Sequence, residues 1–293
     1  MTRLDKFVVA LLFIVVLISA AVQRSPHYDP GTGRRPIPDA ETPRPPIDAP
    51  APERARRPPL AAPGANDPLS LVDVGERVQH GTGTAFAAGP QGLWMTARHV
   101  VDGCQDIYVE YPSRAWQARI VYSHPAADLA LITSSRNGRS VQLTDGPLHL
   151  GQDAYSFGYP TGSLGATHLQ LLGRSRWQFT GRMSGITPTL TWAEVRRVPE
   201  TLERLGGISG GPVFGEDGRL VGVHIGGSNR RGRSVSVAPE VIREVQRQRP
   251  VLLASGQPLA EIRAARNDLA AAAQAVSQGS RIVKVFCRAP DSS

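Results

Sequence analysis

Lysine is almost missing from this 293-residue chain: Lys6 and Lys284 are the only two, so the formal net charge of +8 is carried by arginine. A basic balance can favour anionic lipid headgroups or acidic polymers. The arginines are spread along the chain, however, and no basic stripe is interleaved with aromatics, which argues for a solvated basic surface and against nucleic acid as a partner. Cysteine is as scarce. Cys104 and Cys287 stand far apart without metal-ligand spacing, so no metal and no other cofactor is expected. In an oxidising compartment they can pair; the alternative is two unrelated thiols. No internal repeat is found.

Long apolar runs are also lacking, with one exception. Arg3 and Lys6 precede an uncharged stretch from Phe7 to Val22, the charge and hydropathy order of an export signal. The run is slightly short for a spanning helix, and Ser19 and Ala21 offer a small-x-small cleavage site. Residues 1–22 are therefore read as a cleaved signal peptide or an uncleaved inner-membrane anchor, and the remainder as extracytoplasmic, periplasmic or secreted. Between residues 23 and 66 large apolar side chains are nearly absent while 12 of the 25 prolines are found there. Such a segment buries too little surface to offset the ordering of its backbone, and reads as a disordered tether.

From Leu69 to Val237 short apolar or alternating runs are broken by Gly, Pro, Asn and Asp: "TGTAFAA", "LWMTA", "IYVEY", "WQARIVY", "LALIT", "AYSFGY", "SRWQFTG", "LTWAEVRRV", "RLVGVHI" and "SVSVA". This texture predicts an all-β fold rather than alternating strand and helix. The turn-rich "SSRNGRSVQLTDGPLHLG" divides the set, consistent with two barrels of similar size, about 69–146 and 147–240, within a domain of residues 67–249. Beyond it "APEVIREVQRQR" has helical spacing, "PLAEIRAARNDLAAAAQAVSQG" reads as an alanine-rich amphipathic helix, and "RIVKVF" as a last strand. Residues 250–293 are expected to be a small C-terminal appendage.

Chemistry concentrates in "LGGISGGPVFGEDG", residues 205–218, where one serine lies among glycines. A neutral hydroxyl needs a base, an acid behind the base, and donors for the oxyanion; flanking glycines permit a sharp turn that frees backbone N–H groups. The formula Gly-x-Ser-x-Gly also fits the elbow of α/β-hydrolases. An elbow continues into a helix with acid and then histidine downstream, whereas here Pro212 and a strand-like "PVF" follow and His224 comes fifteen residues on. Upstream, "GLWMTARHVVDGC" sets His99 after an apolar strand and "HPAADLALI" sets Asp128 at the start of another. Asp102 and Asp106 compete with Asp128 but lie close to His99 in the chain. His80, His124, His149 and His168 lack supporting context and read as ordinary polar or surface residues.

The order His99, Asp128, Ser209, in the blocks "TARHVV", "ADLALI" and "GISGGPVF", resembles the chymotrypsin-like (trypsin-fold) serine proteases. The likeness is to the bacterial branch with V8-like glutamyl endopeptidases and HtrA-type enzymes, over about residues 69–245. The resemblance implies two six-stranded antiparallel β-barrels and a serine endopeptidase acting on proteins or peptides. Ser209 would be nucleophile, His99 base and Asp128 its orienting acid, with Gly207 and Ser209 N–H groups as oxyanion hole. "VGVHIGG" resembles the wall of the primary pocket. His224 would there hold an acidic side chain before the scissile bond, Gly226 and Gly227 would admit the substrate backbone, and Arg204 would either join or block that recognition. Many animal relatives carry aspartate where this chain has Ile208, so activation by N-terminal cleavage is not expected. The competing expectation is a catalytically silent protease-fold binding protein of the cell envelope.

Overall fold

A computed structural model describes residues 57–290 apart from Pro112, Val251, Ala254 and Ser255. The apolar run 7–22 and most of the proline-rich stretch lie outside the described residues. In chain order the strands begin with β1 (Leu69–Asp73), β2 (Gly81–Ala87) and β3 (Leu93–Thr96). A single helical turn, α1 (Arg98–Val101), leads to β4 (Asp106–Glu110), β5 (Ala115–Ser123) and β6 (Ala130–Ser134). Next come β7 (Asp153–Gly158), the long β8 (Gly165–Thr180) and β9 (Gly185–Val198), then β10 (Pro212–Gly215), β11 (Leu220–Ser228) and β12 (Arg233–Val237). The chain continues through α2 (Pro239–Gln248) and α3 (Leu269–Gln278) to β13 (Ile282–Arg288).

Six strands close into a barrel in the order β13-β2-β3-β6-β5-β4. Alternation along β4 shows why: Ile107 and Val109 turn inward while Asp106, Tyr108 and Glu110 are partly exposed, the period of two that lets one face of a strand fill a core. The other strands form a sheet ordered β1-β8-β7-β10-β11-β12-β9, and a further β8–β9 pairing makes a ring of six with β1 outside it. β1 joins β8 in parallel, Leu69 opposite Arg176 and Asp73 opposite Thr180.

Three expectations change here. Residues 250–293 are not a separate appendage, because β13 pairs with β2 on one side and β4 on the other and so completes the first barrel. β1, expected in that barrel, belongs to the other sheet. Strand propensity marks a strand but not its partner, which only the closed hydrogen-bond ring decides. The expected alanine-rich helix is also shorter. A 3-10 turn covers Ala260–Ala264, and α3 starts afresh where the Asp268 side chain accepts the Ala271 N–H. From there Leu269, Ala272, Ala273 and Val276 form its buried stripe. A disulfide joins Cys104 to Cys287, tying the loop after α1 to β13. Among the described residues no helix is long and apolar enough to cross a membrane.

Candidate active site

β3 delivers the chain into α1, whose Val100 and Val101 are buried and so fix the turn that carries His99. Asp128 lies two residues before β6 and is fully buried. Its carboxylate holds the histidine twice. Oδ1 accepts the His99 backbone N–H at 2.8 Å, and Oδ2 lies 2.6 Å from His99 Nδ1. Burial by itself lowers the His99 pKa, but the charge of Asp128 and its hydrogen bond outweigh that and leave the imidazole above its ordinary 6.5, against a smaller downward push from Arg182. The competing acids are engaged elsewhere, Asp102 with Arg98 and Asp106 with Arg288. The remaining histidines have local partners: His80 receives the Ala289 N–H, His124 the N–H groups of Ala126 and Ala127, His149 meets Arg57 O and His168 meets Asp153.

Ser209 sits in a turn that only glycine can complete. Gly210 has φ +85°, and a Cβ there would lie 2.1 Å from Thr84 O. Gly207 has φ +100°, with a Cβ position 2.5 Å from Tyr159 O. Between Gly207 and the serine, Ile208 is fully buried and packs close to Gly158. The turn is docked onto β2 by the Thr84 N–H, which donates to Ser209 O at 2.8 Å. His99 and Ser209 line one groove of about 610 Å³ together with Gly207 and Arg182. Among the described residues no hydrogen bond joins the Ser209 hydroxyl to His99, a contact that commonly tightens only when substrate is bound.

The family described as trypsin-like peptidase domain matches residues 81–223, the stretch that holds all three residues. Over residues 81–223 the chain is similar to a trypsin-like peptidase domain. The serine protease Rv3671c of Mycobacterium tuberculosis (strain ATCC 25618 / H37Rv) is 28% identical over 193 residues, covering 64% of this chain and 47% of that protein. Non-structural polyprotein 1A of Ovine astrovirus 1 is 23% identical over 188 residues, covering 62% of this chain and 19% of the polyprotein. The chain thus spans less than half the length of these curated relatives. Among solved structures, the inactive form of the Rv3671c protease aligns with a TM-score of 0.48 and 21% identity, over 57% of this chain and 82% of that one.

Ser209 also borders a smaller cavity of about 140 Å³, lined by His224, Gly226, Gly227, Leu205, Gly206 and Glu194. Three expected pocket residues are therefore together, and Arg204 is not: it is exposed and absent from this lining. His224 is buried, and burial followed by the neighbouring charge of His99 lowers its pKa to about 3. Its imidazole is neutral at ordinary pH, with Nδ1 3.4 Å from Ser156 Oγ. Glu194, in the same lining, accepts from Ser234 Oγ at 2.8 Å and from Arg197 Nε at 2.9 Å.

Four contributors to the site escaped sequence reasoning. Thr187, on β9, accepts the Asp128 N–H at 3.1 Å. Arg182, in the turn after β8, donates to His99 O at 2.9 Å and to Val74 O at 3.0 Å. Thr84 and Glu194 complete the set. All four sit in stretches whose alternation is that of ordinary strand and turn, so no local signal separates them from neighbours.

Proposed function

We propose that the chain is an extracytoplasmic serine endopeptidase, with Ser209 attacking the scissile carbonyl, His99 relaying its proton and Asp128 holding the imidazole. The observation that carries this reading is the double contact of one buried carboxylate with His99, in a groove the histidine shares with Ser209. A base oriented by an acid and set beside a hydroxyl is what acyl transfer requires. Ser209 Oγ adds to the carbonyl as His99 Nε2 takes its proton. The amine then leaves with that proton, and water hydrolyses the acyl-enzyme by the same route. Gly207 and Ser209 N–H groups would receive the oxyanion. The ring β7 to β12 is read as the second barrel of the fold, and the groove lined by residues 74–82, His99 and the Ser209 turn as the substrate channel. A protein or peptide is the expected substrate, and neither metal nor nucleic acid is invoked.

The paired cysteines support an oxidising location, in keeping with the export-like residues 1–22. An acidic preference before the scissile bond has His224 in the pocket wall as its only support. A neutral imidazole in a cavity that the Glu194 carboxylate also lines is a poor partner for a second carboxylate. The test is covalent labelling of folded full-length protein by a fluorophosphonate. Labelling that is lost in Ser209→Ala and His99→Ala is expected; none in the wild type would leave the silent binding protein as the better reading. Cleavage of a peptide library reads the pocket in the same preparation.

A further inference from the structure

The Ser209 turn has no acid at position 208 to order it, yet its two peptide groups before Ile208 are both held. The carbonyl of Gly206 accepts the Thr161 N–H at 2.7 Å. The carbonyl of Gly207 accepts the Thr84 hydroxyl at 2.8 Å, and that same hydroxyl receives the Tyr159 N–H at 3.0 Å. Thr84 is fully buried, and its own carbonyl is in turn held by Thr96 Oγ1 at 2.7 Å. One side chain of the first barrel thus clips the turn to the segment after β7, and the 3-10 turn Pro160–Gly162 clips it again.

The consequence follows from peptide geometry. In a planar trans peptide the N–H points opposite to the C=O. Fixing Gly206 C=O on Thr161 therefore aims Gly207 N–H the other way, and Gly207 lines the groove of His99 and Ser209. Among the described residues neither Gly207 N–H nor Ser209 N–H has a protein acceptor. Both donors are left for a substrate oxygen.

We propose that Thr84 is a positioning residue of the oxyanion turn: the Thr161 N–H holds the Gly206–Gly207 peptide that carries the Gly207 donor, and Thr84 holds the adjoining Gly207–Ile208 peptide, whose own N–H is taken by Leu205 O, so that Gly207 is fixed on both sides by neutral hydrogen bonds. The lock is made from residues inside the folded body and needs no new N-terminus, so the turn is set in the intact chain. This rests on Ser209 being a nucleophile. A hydroxyl is required, because a methyl in its place strands the Gly207 carbonyl and the Tyr159 N–H and frees the Gly207–Ile208 peptide, which loosens the φ and ψ of Gly207 and with them the aim of its N–H.

The experiment measures fluorophosphonate labelling of the full chain, separating the maximal rate from the half-saturating concentration, for wild type, Thr84→Val and Thr84→Ser. Thr84→Val is expected to lower the maximal rate about ten- to a hundredfold, approaching the loss of an oxyanion donor, with half-saturation little changed. Thr84→Ser, which keeps the hydroxyl, is expected to restore most of it. If Thr84→Val does not fold, Thr84→Ala and Thr84→Ser are compared below their melting temperatures; the serine variant alone should keep its rate. Equal rates in hydroxyl and non-hydroxyl variants, after correction for folded fraction, overturn the lock and leave Thr84 a packing residue. Failure of folded wild type to label removes the nucleophile itself, a different result from a labelled wild type indifferent to Thr84.

Discussion

Asp128 and Arg182 act on the His99 imidazole with opposite sign, and that makes the base legible in a pH profile. Because the pKa of His99 lies above 6.5, the neutral base appears only as pH rises past that value, so labelling of Ser209 should climb with an apparent pKa above 6.5. The linked stability has the opposite course: the contribution of protonated His99 is full below pH 6.5 and is lost as pH rises through the folded pKa. Asp128→Asn should cut the labelling rate by roughly 10⁴ through the wrong tautomer and move the midpoint down. Unchanged rate in that variant would unseat Asp128. His224 behaves differently. Its pKa is depressed to about 3, so the neutral form stabilises the fold fully above pH 6.5 and that stability drains away between pH 6.5 and about 3. The loss is at most about 5 kcal/mol. Chemical denaturation across that window should show a shallower decline for His224→Gln.

At the scale of elements, the hairpin of β8 and β9 supports the base from outside the first barrel. Its turn brings Arg182 to His99 O, and its second strand brings Thr187 to the Asp128 N–H. Arg182→Leu should therefore slow labelling by about tenfold, the scale of a lost positioning contact. It should also raise the midpoint of the profile, since the cation that lowers the His99 pKa is gone. A purely structural role would reduce folded protein without moving that midpoint. The disulfide is the second such support. It spans 183 residues between the loop after α1 and β13, and Cys287 lines the groove of His99 and Ser209. Replacing both cysteines by serine should cost about 2–5 kcal/mol in denaturant unfolding. An unaltered midpoint would show the covalent link to be redundant.

The whole molecule depends on its last strand. β13 lies between β2 and β4, with Ile282, Val283 and Val285 buried, and its removal opens the barrel that carries both His99 and Asp128. Truncation after residue 279 should yield protein that is insoluble or lacks cooperative unfolding; a soluble, labelled truncate would contradict this. The residues 205–218 stood out in the sequence because acyl transfer demands particular side chains in a glycine setting, and that chemistry is local. The strands were legible for a similar reason, since alternation with period two is written in consecutive residues. What stayed hidden is what joins distant segments: β13 closing a barrel begun two hundred residues earlier, Thr187 behind Asp128, Thr84 beneath Gly207, and Glu194 in one cavity with His224. Sequence by itself determined the chemistry on offer and the β texture, because both are properties of short stretches. Only the tertiary structure decided which carboxylate meets the imidazole, which hydroxyl holds the turn and which charge lines the pocket, because hydrogen bonds and burial depend on distances in space that separation along the chain does not set.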